Sequence, residues 1–180
     1  YTLSALNELL AALPLQADEP PPYRVLDLDW RDPVRDRAVP VRLYLPGAAT
    51  PAHPVPLVVF SHGIGGSRNG YRYLGSHWAS QGWASLHLQH VGSDRQLWFG
   101  NVFGVIGRLR DAAQDGEAIA RVQDLSFALD QLLAQDLAPL VDARRIVAAG
   151  HSYGANTTLL ASGARVSRNG RSVDLHDERI

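Results

Sequence analysis

The spacing of hydrophobic positions changes several times along the chain, and each change marks an element. In residues 1–13, Leu3, Leu6, Leu10 and Leu13 recur at helical spacing, which predicts a short helix ended by Pro14. Asp18-Glu19-Pro20-Pro21-Pro22 then reads as a stiff, exposed connector. Residues 1–22 are therefore expected to be an N-terminal helix and linker, and residues 23–180 one domain. From Tyr23 the period becomes two. Tyr23–Trp30 and Ala38–Leu45 alternate, the second with Val39, Val41, Leu43 and Leu45 on one face. With the charged turn between them they predict an antiparallel pair. Pro40 places the second strand near an edge, because proline cannot donate to a ladder.

The next run, Val55–Phe60, is almost continuously apolar, as in a strand covered on both faces. After it come the glycine-rich segment Ser61–Ser67, a helix over Tyr71–Gln81 and a strand over Trp83–Gln89. Residues 92–116 hold five glycines with Trp98, Phe99 and Phe103, and have no readable period. Glu117–Gln135 is the clearest helix, with Ile119, Val122, Leu125, Leu129, Leu132 and Leu133 in one stripe; Asp124 on it reads as solvated or locally paired. Arg145–Ala149 predicts a short buried strand, Gly150–Gly154 a turn and Ala155–Ala164 a helix. Residues 165–178 are polar, and Ile180 reads as the opening of a further strand. An antiparallel opening followed by strand–helix alternation predicts an α/β fold, with a mostly parallel sheet, antiparallel N-terminal strands and helices on both faces.

Composition narrows the chemistry. A length of 180 residues fits one domain. Seventeen basic against eighteen acidic residues give a net charge of −1, which argues against a nucleic-acid partner and a polybasic membrane anchor. No run approaches the ~18 apolar residues of a membrane-spanning helix. Cysteine is absent, which excludes disulfides and a thiol nucleophile. All seventeen basic residues are arginine, so Schiff-base chemistry and a Walker-type phosphate loop, which need a lysine amine, are excluded too. Methionine is also absent, so Tyr1 is not a natural start. The N-terminus is expected to be processed or trimmed, which suits a secreted or periplasmic protein without assigning a compartment.

The sharpest motif is Gly150-His151-Ser152-Tyr153-Gly154, which fits G-x-S-x-G between an apolar strand and a helix. A serine at the tip of such a turn exposes its Oγ above the sheet, and only small residues fit where the chain passes close by. Ser152 is thus the candidate nucleophile. Acyl transfer also needs two N–H groups aimed at the developing oxyanion. Tyr153, next to the nucleophile, supplies one, and Ile64 in the glycine-rich segment is the best candidate for the other. Gly63, Gly65 and Gly66 do not have dinucleotide-fingerprint spacing.

These two motifs, in this order, resemble the α/β-hydrolase superfamily, and more finely its platelet-activating-factor acetylhydrolase and dienelactone-hydrolase-like branch. The resemblance is carried by residues 35–46, 58–83, 86–94 and 146–155. It implies a serine esterase with Ser152 as nucleophile, an oxyanion hole of the Ile64 and Tyr153 N–H groups, a small-molecule or lipid ester substrate, and neither metal nor organic cofactor. In this fold an acid and then a histidine follow the serine. After Ser152 the chain offers Asp174, Asp177, Glu178 and His176. Asp174 and His176 are too close together to act from separate loops, and His176 reads as a solvated loop residue. The acid and histidine are therefore expected beyond Ile180, in a longer chain or on a second chain.

The other histidines have plainer readings. His62 shapes its loop, and His151 is structural, its side chain pointing away from Ser152. His87 and His90, three apart at a strand end, cannot share a face as metal ligands would. His53 and His77 are structural or exposed. Trp98, Phe99 and Phe103 either line an acyl pocket or form a local core, and Asp94 with Arg95 either forms a surface pair or approaches the site. Two other functions stay open: an amidase or peptidase on the same scaffold, and a non-catalytic binding protein.

Overall fold

The computed structural model describes residues 22–100, 102–112, 115–168 and 171–180. The helix expected over residues 1–13 and nearly all of the connector lie outside the described residues. Strands β1 (Tyr23–Asp32) and β2 (Arg37–Pro46) form the antiparallel pair that the alternation predicts, with Leu26 opposite Leu43 and Trp30 opposite Val39. The inward face of β2 is Val39, Val41, Leu43 and Leu45, none of which retains solvent exposure. Strands β3 (Val55–Ser61), β4 (Ala84–Leu88) and β5 (Val141–Gly150) complete a five-stranded sheet of order β1-β2-β4-β3-β5. β3 pairs in parallel with β4 and β5, and β2 is antiparallel to β4.

Helix α1 (Arg72–Ser80) connects β3 to β4. The stretch without a readable period contains a 3-10 turn, Arg95–Trp98, and helix α2 (Val102–Ala112). Helix α3 (Asp115–Ala134) buries Val122, Leu125, Ala128, Leu129 and Leu132 against the sheet. Helix α4 (Tyr153–Ala161) follows β5, and β6 (Val166–Arg168) pairs with β7 (Arg171–Val173) in a small hairpin. Burying each of these leucines contributes about 1.5–3 kcal/mol. Among the described residues, no helix is long and apolar enough to cross a membrane.

Three expectations need correction. β2 is an interior strand, flanked by β1 and β4, despite Pro40. The β4 pairing covers Val41–Tyr44 only. The Pro40 carbonyl accepts from Gln89 N–H (2.9 Å), so the proline nitrogen faces the same side, at the very end of that ladder, and only the one reciprocal bond is forgone. β5 is less covered than expected, with Val147 45% exposed, because it is the end strand of the sheet here. Ile180 packs against the core but lies in no strand.

Candidate active site

β5 leads directly into the turn at Gly150–Gly154. Ser152 has φ 54° and ψ −117°, one of two non-glycine residues with positive φ among those described. Such a backbone costs on the order of 1–3 kcal/mol and persists only where its surroundings enforce it. They do so by contact. A Cβ on Gly154 would strike the Ser61 carbonyl, and one on Gly150 would strike the Gly154 backbone. His151 N–H donates to Ser61 O (3.2 Å), tying the turn to the end of β3. Ser152 and His151 are exposed, and Ser152 stands at the N-terminus of α4, where partial positive charge gathers.

The glycine-rich loop after β3 lies against this turn. A Cβ on Gly63 would sit 3.2 Å from Ser152 Cβ and 3.3 Å from His151 O. The structure therefore brings Ile64, Ser152 and Tyr153 to one end of the sheet. Among the described residues, neither the Ile64 nor the Tyr153 N–H donates to a protein acceptor. The neighbouring amides are occupied: Gly65 N–H donates to Ser93 O (2.8 Å), Gly66 N–H to Gly63 O (3.1 Å) and Gly154 N–H to His151 O (2.9 Å).

The His151 imidazole is tied to Tyr71, its Nδ1 2.8 Å from Tyr71 Oη. Tyr71 in turn packs on Phe60, with ring centroids 4.7 Å apart. Among the described residues, no histidine or carboxylate hydrogen-bonds Ser152 Oγ. His176 is an exposed loop residue whose backbone N–H donates to Asp174 (3.1 Å). Trp98 and Phe99 are exposed rather than a local core, and Trp98 Nε1 donates to Gly65 O (3.0 Å). The side chain of Phe103 lies outside the described residues. Asp94 is no surface residue: it is buried, accepts from Gln96 N–H and Gln89 Nε2, and caps the turn that carries Trp98.

Under this surface lies a buried polar network that the sequence reading missed. Arg121 on α3 has no solvent exposure. Its guanidinium donates to His62 O, to Thr157 Oγ1 (2.9 Å) on α4 and to Ser93 Oγ (2.9 Å), and it lies 4.8 Å from the centre of the Tyr153 ring. One side chain thus joins the glycine-rich loop to the helix after Ser152. Burial pushes its pKa down to about 10, which leaves it charged at neutral pH.

Asp124, one turn further along, is fully buried rather than solvated. It accepts from Arg37 Nε (2.9 Å) and Nη2 (3.1 Å), pairs with Arg35 Nη1 (3.0 Å) and bonds His90 Nδ1 (3.0 Å). His90 Nε2 lies 3.0 Å from Ser61 Oγ. Ser61, His90 and Asp124 have the donor order of a catalytic triad, but the chain of bonds is sealed from solvent and braces the floor of the loop. His87 is also buried, between Tyr44 and Phe60, with Nε2 3.2 Å from Ser85 Oγ. Among the described residues, no group of three histidine or acidic side chains could hold a metal ion.

Burial lowers the pKa of His62 to about 4 and of His87 to about 3, and pushes His90 well below its usual value. Unfolded histidine titrates near ~6.5. Below that pH the unfolded chain binds protons that the folded chain refuses, so stability falls with pH through the window from 6.5 towards 4. Urea unfolding at pH 7 and pH 5 should differ by about 2 kcal/mol per buried imidazole. Equal midpoints at the two pH values would show that these rings are not held neutral.

A mixed sheet whose parallel strands lead through a strained serine turn into a helix, beside a glycine-rich loop, defines the α/β-hydrolase fold. Comparison with known proteins agrees. The family described as platelet-activating factor acetylhydrolase, isoform II, matches residues 37–96, a stretch that includes Arg37, Ser61, His62, Ile64 and His90. No curated protein matches the chain.

Among solved structures, ferulic acid esterase from Streptomyces cinnamoneus is 26% identical with a TM-score of 0.58, over 79% of this chain and 55% of that one. The esterase Est22 is 21% identical (TM-score 0.57; 78% and 38%). Dienelactone hydrolase from Anabaena variabilis is 18% identical (TM-score 0.54; 77% and 57%). The chain thus spans about half or less of these proteins. It is an α/β hydrolase by fold, and resembles the acetylhydrolase and dienelactone-hydrolase branch.

Proposed function

We propose that this chain carries the nucleophile and oxyanion hole of a serine hydrolase that cleaves carboxylic esters, soluble or lipid, through an acyl-serine intermediate. The observation that carries the reading is the strained Ser152 at the N-terminus of α4, packed against a loop with an unoccupied Ile64 N–H. Likeness to the ferulic acid esterase supports the reaction class.

In this mechanism Ser152 Oγ loses its proton to a histidine base and attacks the ester carbonyl. The carbonyl oxygen becomes an oxyanion, received by the Ile64 and Tyr153 N–H groups and favoured by the N-terminal end of α4. Collapse expels the alcohol, which takes the proton from the base. Water then attacks the acyl-serine by the same route and releases the acid. Among the described residues no histidine or carboxylate hydrogen-bonds Ser152 Oγ, and in this proposal the base and the carboxylate that orients it are supplied by a longer chain or a second one. The reaction needs no metal or organic cofactor.

An amidase reading is tested alongside. The full-length enzyme should hydrolyse an aryl ester far faster than the matched anilide. Comparable kcat/KM for the two would assign amide cleavage instead.

A further inference from the structure

His62 lies beneath the proposed oxyanion loop, without solvent exposure. Each of its ring nitrogens faces a group that can play only one hydrogen-bonding role. Nδ1 is 2.6 Å from the Gly63 carbonyl oxygen, which only accepts, so Nδ1 carries a proton. Nε2 is 3.0 Å from the backbone nitrogen of His90, whose N–H only donates, so Nε2 is bare. The surroundings therefore select the neutral Nδ1–H tautomer. A doubly protonated ring would set Nε2–H against the His90 N–H. The lowered pKa of His62 agrees with this geometry.

The consequence concerns Ile64. The Gly63 carbonyl and the Ile64 N–H belong to one planar trans peptide and point in opposite directions. Whatever holds the carbonyl inward turns the N–H outward. The rest of the loop is also fixed: Arg121 holds the His62 carbonyl, Ser93 O takes the Gly65 N–H, Trp98 holds the Gly65 carbonyl, and the Gly66 N–H returns to Gly63 O. Of the amides of residues 64–66, only that of Ile64 has no protein acceptor among the described residues.

We propose that His62 is a positioning residue for ester hydrolysis, donating from Nδ1 to Gly63 O and so aiming the Ile64 N–H at the oxyanion. This rests on the reading of Ser152 and Ile64 given above. It does not make His62 a proton carrier, since both nitrogens are engaged away from the substrate.

Two substitutions separate aim from bulk. In H62N the amide nitrogen takes the place of Nδ1 and keeps the donor to Gly63 O. In H62Q the amide reaches the place of Nε2, keeping an acceptor for the His90 N–H but losing the donor to Gly63. Steady-state kinetics of an aryl ester with the full-length enzyme should show kcat lowered about 10²–10³-fold in H62Q, the loss typical of one oxyanion donor. KM should stay within a few-fold, and H62N should recover most of kcat.

Nitrogen-15 spectra of the unsubstituted enzyme should show His62 protonated at Nδ1, a readout that needs no variant to fold. Equal kcat in H62N and H62Q, or a His62 protonated at Nε2, would overturn the assignment. S152A serves as the separate control: hydrolysis that survives in S152A would overturn the underlying reading of the active site, whereas hydrolysis lost in S152A with H62N and H62Q alike would overturn only the role of His62.

Discussion

Replacing Ser152 by alanine should lower kcat for ester hydrolysis by roughly 10⁵–10⁶-fold, the scale of losing a serine nucleophile whose partners then have nothing to act on. The fold should not change. Alanine keeps the Cβ, and with it the cost of φ 54°, so the melting temperature should stay close to that of the parent. Ser152→Gly should be equally inactive but should melt higher than Ser152→Ala, because glycine adopts this backbone without the penalty of about 1–3 kcal/mol. The pair separates two statements about one position: Oγ does chemistry, and the backbone under it is held at a cost. Kinetics with an aryl ester and a thermal melt check both. A Ser152→Gly variant no more stable than Ser152→Ala would mean that the turn stores no strain.

Arg121→Met should be the most destabilising change of charge in the described structure. Methionine fills much of the volume but leaves the His62 carbonyl, Thr157 Oγ1 and Ser93 Oγ without their shared donor. The partners it leaves are neutral, and a buried acceptor left without its donor costs about 1–3 kcal/mol. For a chain of this size that is a fall in melting temperature of roughly 2–12 °C. Arg144→Met is the control. Its side chain is 92% exposed beside Asp142, and its removal should cost less than about 0.5 kcal/mol. Because Arg121 joins the glycine-rich loop to α4, its variant should also lose activity at temperatures where it is still folded. An Arg121→Met protein as stable as the parent would show that the buried guanidinium carries no weight.

Much of the fold was legible because its signals are local. The alternation of β2 and the apolar run of β3 survive in the structure nearly residue for residue. The turn around Ser152 was legible for the same reason, since Gly150 and Gly154 are demanded by contacts within a few residues of them or with the adjoining strand. The buried network was not, because its members come from distant stretches: Arg35 and Arg37 from the β1–β2 hairpin, His90 from after β4, and Asp124 and Thr157 from two helices.

One signal was available. Arg121 and Asp124 interrupt the face of α3 that also carries Leu125, Ala128 and Leu132. A charged pair three residues apart on a buried stripe implies a partner on whatever the stripe packs against. Pro40 misled for a related reason. Proline rules out one ladder bond, not a whole strand, and Pro40 sits at the end of the pairing with β4, where its carbonyl still accepts from Gln89 N–H. The glycines and aromatics of residues 92–116 hid two helical segments because part of their pattern serves the loop beside them, with Trp98 packed over Gly65.

The most direct test is the mass of the intact full-length enzyme before and after treatment with a fluorophosphonate, followed by peptide mapping. An activated serine in a working oxyanion hole should give one adduct, on Ser152, absent from Ser152→Ala. No adduct, or an adduct on any other residue, would contradict the assignment of Ser152 as the nucleophile.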